Sequence, residues 1–175
     1  ASIDVALGKY AVGSSAQINP DTLKIVNASI VATLGKYAIS SSAEFNPVTS
    51  KIGDKKTSLS YTSNSRKFIS LIVKDEGDEE IDKVYGAYPL SDSIHLFGAL
   101  DKTMSTGITN SETTGIAYES CCWAFRVAHF KTNNGGNGYN YSTGFELVLT
   151  GLGSTHTPLK GKIEANIPGY TAKLR

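Results

Sequence analysis

The first 54 residues are written twice, and this duplication limits the folds open to the chain more than any other feature. Residues 1–27 read ASIDVALGKYAVGSSAQINPDTLKIVN and residues 28–54 read ASIVATLGKYAISSSAEFNPVTSKIGD. The two align without a gap, and more than half of the aligned positions are identical, which marks a tandem duplication of one structural unit. Such a unit has to pack beside its own copy. In the first copy Ile3, Val5 and Leu7 alternate with polar or small residues, followed by Tyr10 and Val12; in the second the series is Ile30, Ala32 and Leu34, then Tyr37 and Ile39. Period-two alternation predicts a strand with one buried face. The phase slips by one residue at Gly8 and at Gly35, which predicts a bulge or sharp bend at each. Asn19-Pro20-Asp21-Thr22 and Asn46-Pro47-Val48-Thr49 are turn signals. Each unit therefore reads as strand, bend, strand, turn. Two units are too few for a solenoid, which needs about three to bury a continuous core.

Further strands follow. Thr57–Thr62 and Arg66–Asp75 form an expected hairpin, and the second of these is apolar on both faces from Ile69 to Val73, as in the middle of a sheet. The acidic stretch Asp75–Asp82 reads as a loop ending the sheet. Val84–Leu90 is a short aromatic segment, Ser93–Leu100 a strand or single helical turn, and 101–116 a polar loop. Ala117–Phe130 reads as one long strand, 133–140 as a Gly-rich loop, and Phe145–Thr150 and Lys160–Ile167 as closing strands. Abundant hydroxyl, β-branched and aromatic residues favour strands, while Gly and Asn favour turns. The expectation is an all-β, mainly antiparallel sandwich or barrel with little helix. It forms one domain over 1–175, with 1–27 and 28–54 as repeat units within it.

Charge is unevenly spread. Residues 1–74 carry nine Lys or Arg against four Asp or Glu, whereas residues 75–101 carry one Lys against eight acids. No apolar run approaches 18 residues, so no helical membrane span is expected. No charged-then-apolar leader is evident, and Ala1 is compatible with removal of an initiator methionine or of a signal peptide. Cys121 and Cys122 are neighbours and could close only a strained ring, so they read as two free, buried thiols on opposite faces of a strand.

Catalytic and metal signatures are weak. The acids Asp75, Glu76, Asp78, Glu79, Glu80 and Asp82 lack calcium-loop spacing and read as a solvated loop. His95, His129 and His156 are far apart, and no Gly-x-Ser-x-Gly is present. The Gly135–Gly138 run lacks the Lys-Ser/Thr of a phosphate loop. We expect no enzyme, cofactor or metal.

The repeat does place Lys9 with Lys36, and Lys24 with Lys51, in equivalent positions. With Lys55, Lys56, Arg66 and Lys67 these form a candidate ladder for phosphate contacts, that is, a nucleic-acid-binding face. Tyr10 and Tyr37 are candidate ligand-stacking residues. The reading that best fits repeated surfaces without reactive groups is a non-catalytic, self-assembling coat, capsid or tail subunit of a virion, partnered by copies of itself and by nucleic acid. The alternative is a carbohydrate- or surface-binding module, a lectin or adhesin.

Overall fold

The structure, a computed structural model, describes residues 2–7, 9–18, 25–46, 51–77, 79–136, 138–150 and 158–172. Eleven strands run in chain order: β1 (Ser2–Leu7), β2 (Tyr10–Ile18), β3 (Ile25–Leu34), β4 (Tyr37–Asn46), β5 (Lys51–Asn64), β6 (Lys67–Glu76), β7 (Glu79–Pro89), β8 (Ile94–Thr103), β9 (Ile108–Glu119), β10 (Trp123–Asn133) and β11 (Tyr139–Leu149). They form one antiparallel sheet in which each strand pairs only with its neighbours in sequence, β1 and β11 being the edges. A helix, α1 (Pro158–Asn166), follows. The all-β expectation holds.

Each repeat copy spans two strands. Leu7 pairs with Tyr10 across β1 and β2, and Leu34 pairs with Tyr37 across β3 and β4. The phase slip at Gly35 is thus a hairpin turn, where the expectation was a bend within one strand. Gly35 takes φ +63°, a left-handed value that short hairpins need and that glycine adopts without strain. Gly8, its counterpart, lies outside the described residues, as do 19–22 and 47–49 of the expected turns.

Several other expectations are corrected. The acidic stretch does not end the sheet: it is the tight β6–β7 hairpin, turning at Gly77 with φ +74° and pairing Asp75 with Glu80. The polar residues 101–116 are mostly strand, the end of β8 and most of β9, around a turn at 104–107. Residues 117–130 are two strands, because Ser120 Oγ accepts the amides of Cys122 and Trp123 and reverses the chain there.

The last expected strand is the helix. Ile163, Ala165 and Ile167 alternate as in a strand, but Leu159, Ile163 and Ile167 also recur every fourth residue, a helical stripe. All three are buried, and this face decides the conformation. Pro158 suits the first helical position, where its missing N–H costs nothing. The chain leaves the helix through Pro168 and Gly169, the latter at φ +87°.

The segment 158–172 lies across one face of the sheet, and the core is the seam between them. Phe68, Ala87, Phe97, Ala117, Ala128 and Phe130 meet Leu159, Ile163, Ile167, Tyr170 and Ala172. Burying Ile163 and Ile167 contributes roughly 1.5–3 kcal/mol each. Leu159 sits over Gly144, where a Cβ would stand 2.8 Å from Leu159 Cδ1. Lys162 Nζ lies 3.9 Å from the centre of the Phe130 ring. Tyr170 packs on His95 and Phe97, and its hydroxyl is 2.6 Å from His95 Nε2.

Burial, and secondarily the charge of Glu119, push the Tyr170 phenol well above its ordinary value of 10. A group whose pKa is raised by folding stabilises the fold below its unfolded pKa and loses that contribution as pH rises. The docked segment should therefore loosen above pH 10, read as faster hydrogen exchange over 158–172. Tyr170→Phe, which cannot ionise, should abolish the Tyr170-dependent step.

Candidate functional site

Every strand presents alternate residues to two sides, and the register places them on two unlike faces. One, the inner face, carries Phe68, Phe97, Ala117, Ala128 and the docked C-terminal segment. Across β2–β6 the same face is small and hydroxylated. Ser15 and Ser29 share a hydrogen bond of 2.8 Å, and Ser40 and Ser58 one of 2.7 Å. Ser42, Ser60, Thr62 and Ser70 continue it into a groove of about 500 Å³, closed on one side by Pro168 and Gly169.

The other, outer face is apolar and uncovered. Val12, Ile30, Ile39, Leu59, Ile69, Leu71, Leu96, Ile116, Phe125, Phe145 and Leu147 all lie on it, and all are exposed, Phe145 by 79%. This apolar face runs across the sheet, and such a large continuous patch marks an interaction surface for a protein, a membrane or a ligand. An aromatic belt borders it at one end. Tyr10, Tyr37, Tyr61, Tyr88, Tyr118 and Trp123 lie on the outer face at or near the strand ends beside the β1–β2, β3–β4, β5–β6, β7–β8 and β9–β10 turns. Tyr37 packs on Tyr61 at 5.0 Å, and Tyr118 on Trp123 at 4.5 Å. Toward the opposite end the face becomes polar, with Lys55, Asp75, Glu80, Lys102, Glu112 and Lys131. Tyr139 and Tyr141 stand there beside Lys131 and His129.

A buried charge cluster ties β9, β10 and β11 together on the inner face. Arg126, 0% exposed, donates to Glu119 Oε1 at 3.0 Å and to Glu146 Oε2. Arg66 adds a looser contact to Glu119 at 3.8 Å. Two carboxylates against two guanidiniums leave the cluster balanced, which a buried group of charges requires. Sequence reading missed it because its members fall on different strands and unite only through the β9–β10 turn and the register Arg126↔Ala117 and Arg126↔Glu146.

The sites expected from sequence are dispersed. Lys9 and Lys36 lie in the β1–β2 and β3–β4 turns, with Arg66 and Lys67 at the β5–β6 turn. Lys55 and Lys56 lie at the far end, where Lys55 pairs with Asp75 at 3.3 Å; Lys51 opens β5, and Lys24 lies outside the described residues. The lysines are therefore divided between two ends of the sheet and form no single ladder. Tyr10 and Tyr37 are both in the aromatic belt. His95 is on the inner face and His129 on the outer, where its Nδ1 meets Thr143 Oγ1 at 2.9 Å; His156 lies outside the described residues. Among the described residues no cluster of three His, Cys, Asp or Glu is placed to hold a metal ion.

Cys121 and Cys122 correct another expectation. They sit in the β9–β10 turn, exposed, with sulfurs 2.7 Å apart. The hydrogen bond to Cys121 raises the Cys122 thiol above its ordinary pKa.

No family model matches the chain. It is similar to curated bacterial proteins. It is 32% identical over 95 residues to the LPS-assembly protein LptD of Legionella pneumophila (strain Lens), covering 51% of this chain and 11% of that protein. It is 32% identical over 89 residues to LptD of Nitrosococcus oceani, covering 50% and 12%. For LptD of Aeromonas hydrophila the figures are 30% over 78 residues, 42% and 10%. The chain thus spans about a tenth of the length of the curated relatives it matches. These similarities to proteins named for lipopolysaccharide (LPS) assembly overturn the expectation of a virion coat, capsid or tail subunit. They also overturn the virion location and the partnership with nucleic acid and copies of the chain. The divided lysines and the uncovered apolar face agree with that correction.

Two outcomes follow from this geometry. Arg126→Leu leaves Glu119 and Glu146 buried without their guanidinium and should cost roughly 3–5 kcal/mol, measured by denaturant unfolding; restoring much of it in the triple variant with Glu119→Gln and Glu146→Gln would confirm charge as the cause. Both thiols should react with a maleimide in the folded protein, counted by intact mass; protection of both until denaturation would contradict their exposure.

Proposed function

We propose that this chain forms part of the wall of a β-barrel embedded in a bacterial outer membrane and that it serves lipopolysaccharide assembly without catalysing a reaction. The observation that carries the reading is the outer face: a wide apolar surface bordered by aromatic residues, backed by a polar inner face. Lipid-spanning strands need about 9–11 residues, and β2–β11 have 9 to 14. In such a wall the ladder satisfies backbone polar groups, apolar side chains face lipid, aromatic rings gather at the interface, and polar residues face the lumen. No helix among the described residues is long and apolar enough to cross a membrane.

The similarity to LptD supports the assembly role. An unpaired edge is not tolerated in hydrocarbon, so in such a wall β1 and β11 are each paired. The hydroxyl-lined groove on the inner face suits the sugar part of lipopolysaccharide, and the docked segment 158–172 occupies lumen beside it.

The chain refolded with phosphatidylcholine vesicles should insert, and brominated acyl chains should quench Trp123, whose ring is 40% exposed on the outer face. A monodisperse, detergent-free protein whose Trp123 is blind to brominated lipid would overturn the membrane reading. The assembly role is read separately, by photo-crosslinking from Ser40 or Ser60 to lipopolysaccharide in cells; crosslinks absent there but present in LptD itself would remove it.

A further inference from the structure

One gap in the outer face is floored by glycine. Gly86 of β7 and Gly98 of β8 are direct cross-strand partners, and both belong to the outward set. Together they leave an open slot of about 570 Å³, walled by Ile69, Val84, Leu96 and Leu100. That is the size of a small-molecule site. Two inward glycines show what this sheet does elsewhere with such a floor. At Gly115 an added Cβ would stand 2.4 Å from the Phe97 ring, and at Gly144 2.8 Å from Leu159, so the chain's own side chains fill both. The outward pair has no such filler. Gly86 is enforced by the backbone, since a Cβ there would meet the Phe68 carbonyl oxygen at 2.5 Å. Gly98 is less constrained, its nearest neighbour being the Thr113 carbonyl oxygen at 3.3 Å. Packing alone therefore does not demand that the slot stay empty.

Its two ends differ in charge. At the belt end Lys67 lies over the Tyr88 ring at 5.6 Å, with no carboxylate paired to it among the described residues. Lys9 and Lys36 stand in the turns at the same end. At the opposite end Glu112 is paired with Lys131 at 4.0 Å. An elongated apolar guest with one anionic head finds its cation at the belt end.

We propose that this slot holds one acyl chain of a bilayer phospholipid, with its headgroup phosphate on Lys67. This rests on the membrane-wall reading. Lys67 at the mouth of the slot matches a lipid headgroup phosphate, and the tail lies along bare backbone where a side chain would otherwise stand. A cation near an anionic headgroup is worth about 1 kcal/mol, or about fivefold in occupancy.

The test uses the full chain in phosphatidylcholine vesicles with two reporters: the native Trp123, and Leu100→Trp in a Trp123→Phe background. Circular dichroism checks that each variant keeps its sheet. Brominated phosphatidylglycerol should half-quench the Leu100→Trp reporter at about one-fifth the mole fraction that brominated phosphatidylcholine requires. Lys67→Gln should erase that preference, and Gly98→Val should reduce quenching by both lipids, while Trp123 shows neither effect. Quenching of Trp123 with no headgroup preference at the slot would overturn the proposal and leave the membrane wall standing. An unquenched Trp123 would overturn both. Relief of quenching by unlabelled lipopolysaccharide at a lower mole fraction than unlabelled phosphatidylglycerol would overturn the phospholipid in favour of lipopolysaccharide.

Discussion

A strand must send its side chains to opposite sides in turn, and an antiparallel neighbour must match it residue for residue. In this protein that constraint acts ten times in succession, because every strand pairs with the next one in the chain. The hydrogen-bond ladder consumes the backbone polar groups within the plane of the sheet, leaving the side chains to settle what each face meets. Outward, the result is hydrocarbon with a rim of aromatic rings. Inward, it is hydroxyls, a balanced knot of charge around Arg126, and a helix whose Leu159 sits in the notch left by Gly144. None of these features would hold if the register slipped by one residue, since every side chain would then change sides.

The inner face is not uniform, and its two halves are stabilised differently. Under 158–172 it is a small core, built from Phe68, Phe97, Phe130 and the helix stripe. Beyond that segment it is a field of serines that bond one another across strands. Among the described residues charge is buried on this face only in the first half, near the β9–β10 turn, where Glu119, Arg126 and Glu146 meet on three adjacent strands.

Much of the architecture was legible in the residues. The duplication, the hairpin around Ser63–Arg66 and the dominance of strands follow from period and turn chemistry alone. The orientation of the sheet was not. Alternation says that two faces differ, and it is unchanged when inside and outside are exchanged, so Val12 and Ile39 read as buried when they are exposed. A mean hydropathy of −0.15 conceals the apolar face for the same reason, because inward serines cancel outward leucines and isoleucines. The helix was missed where Ile163, Ala165 and Ile167 satisfy two periods at once and only the distant Leu159 breaks the tie. The cysteine turn was missed because it contains neither Gly nor Pro. The lysine ladder failed because sequence equivalence between repeats fixes an end of the sheet, and neighbouring turns alternate between ends.

The 27-residue repeat is a hairpin's length, two strands with both of their turns. Copying it therefore widens the sheet by an even number of strands, and evenness is what keeps the new strands in step with the old. Polarity, sidedness and the level of the aromatic rings are all inherited intact, as Tyr10 and Tyr37 show. An insertion of a single strand would point everything downstream the wrong way along the sheet's axis. A sheet assembled in this manner can change its width by gene duplication alone, in steps of two, with no need to redesign either surface.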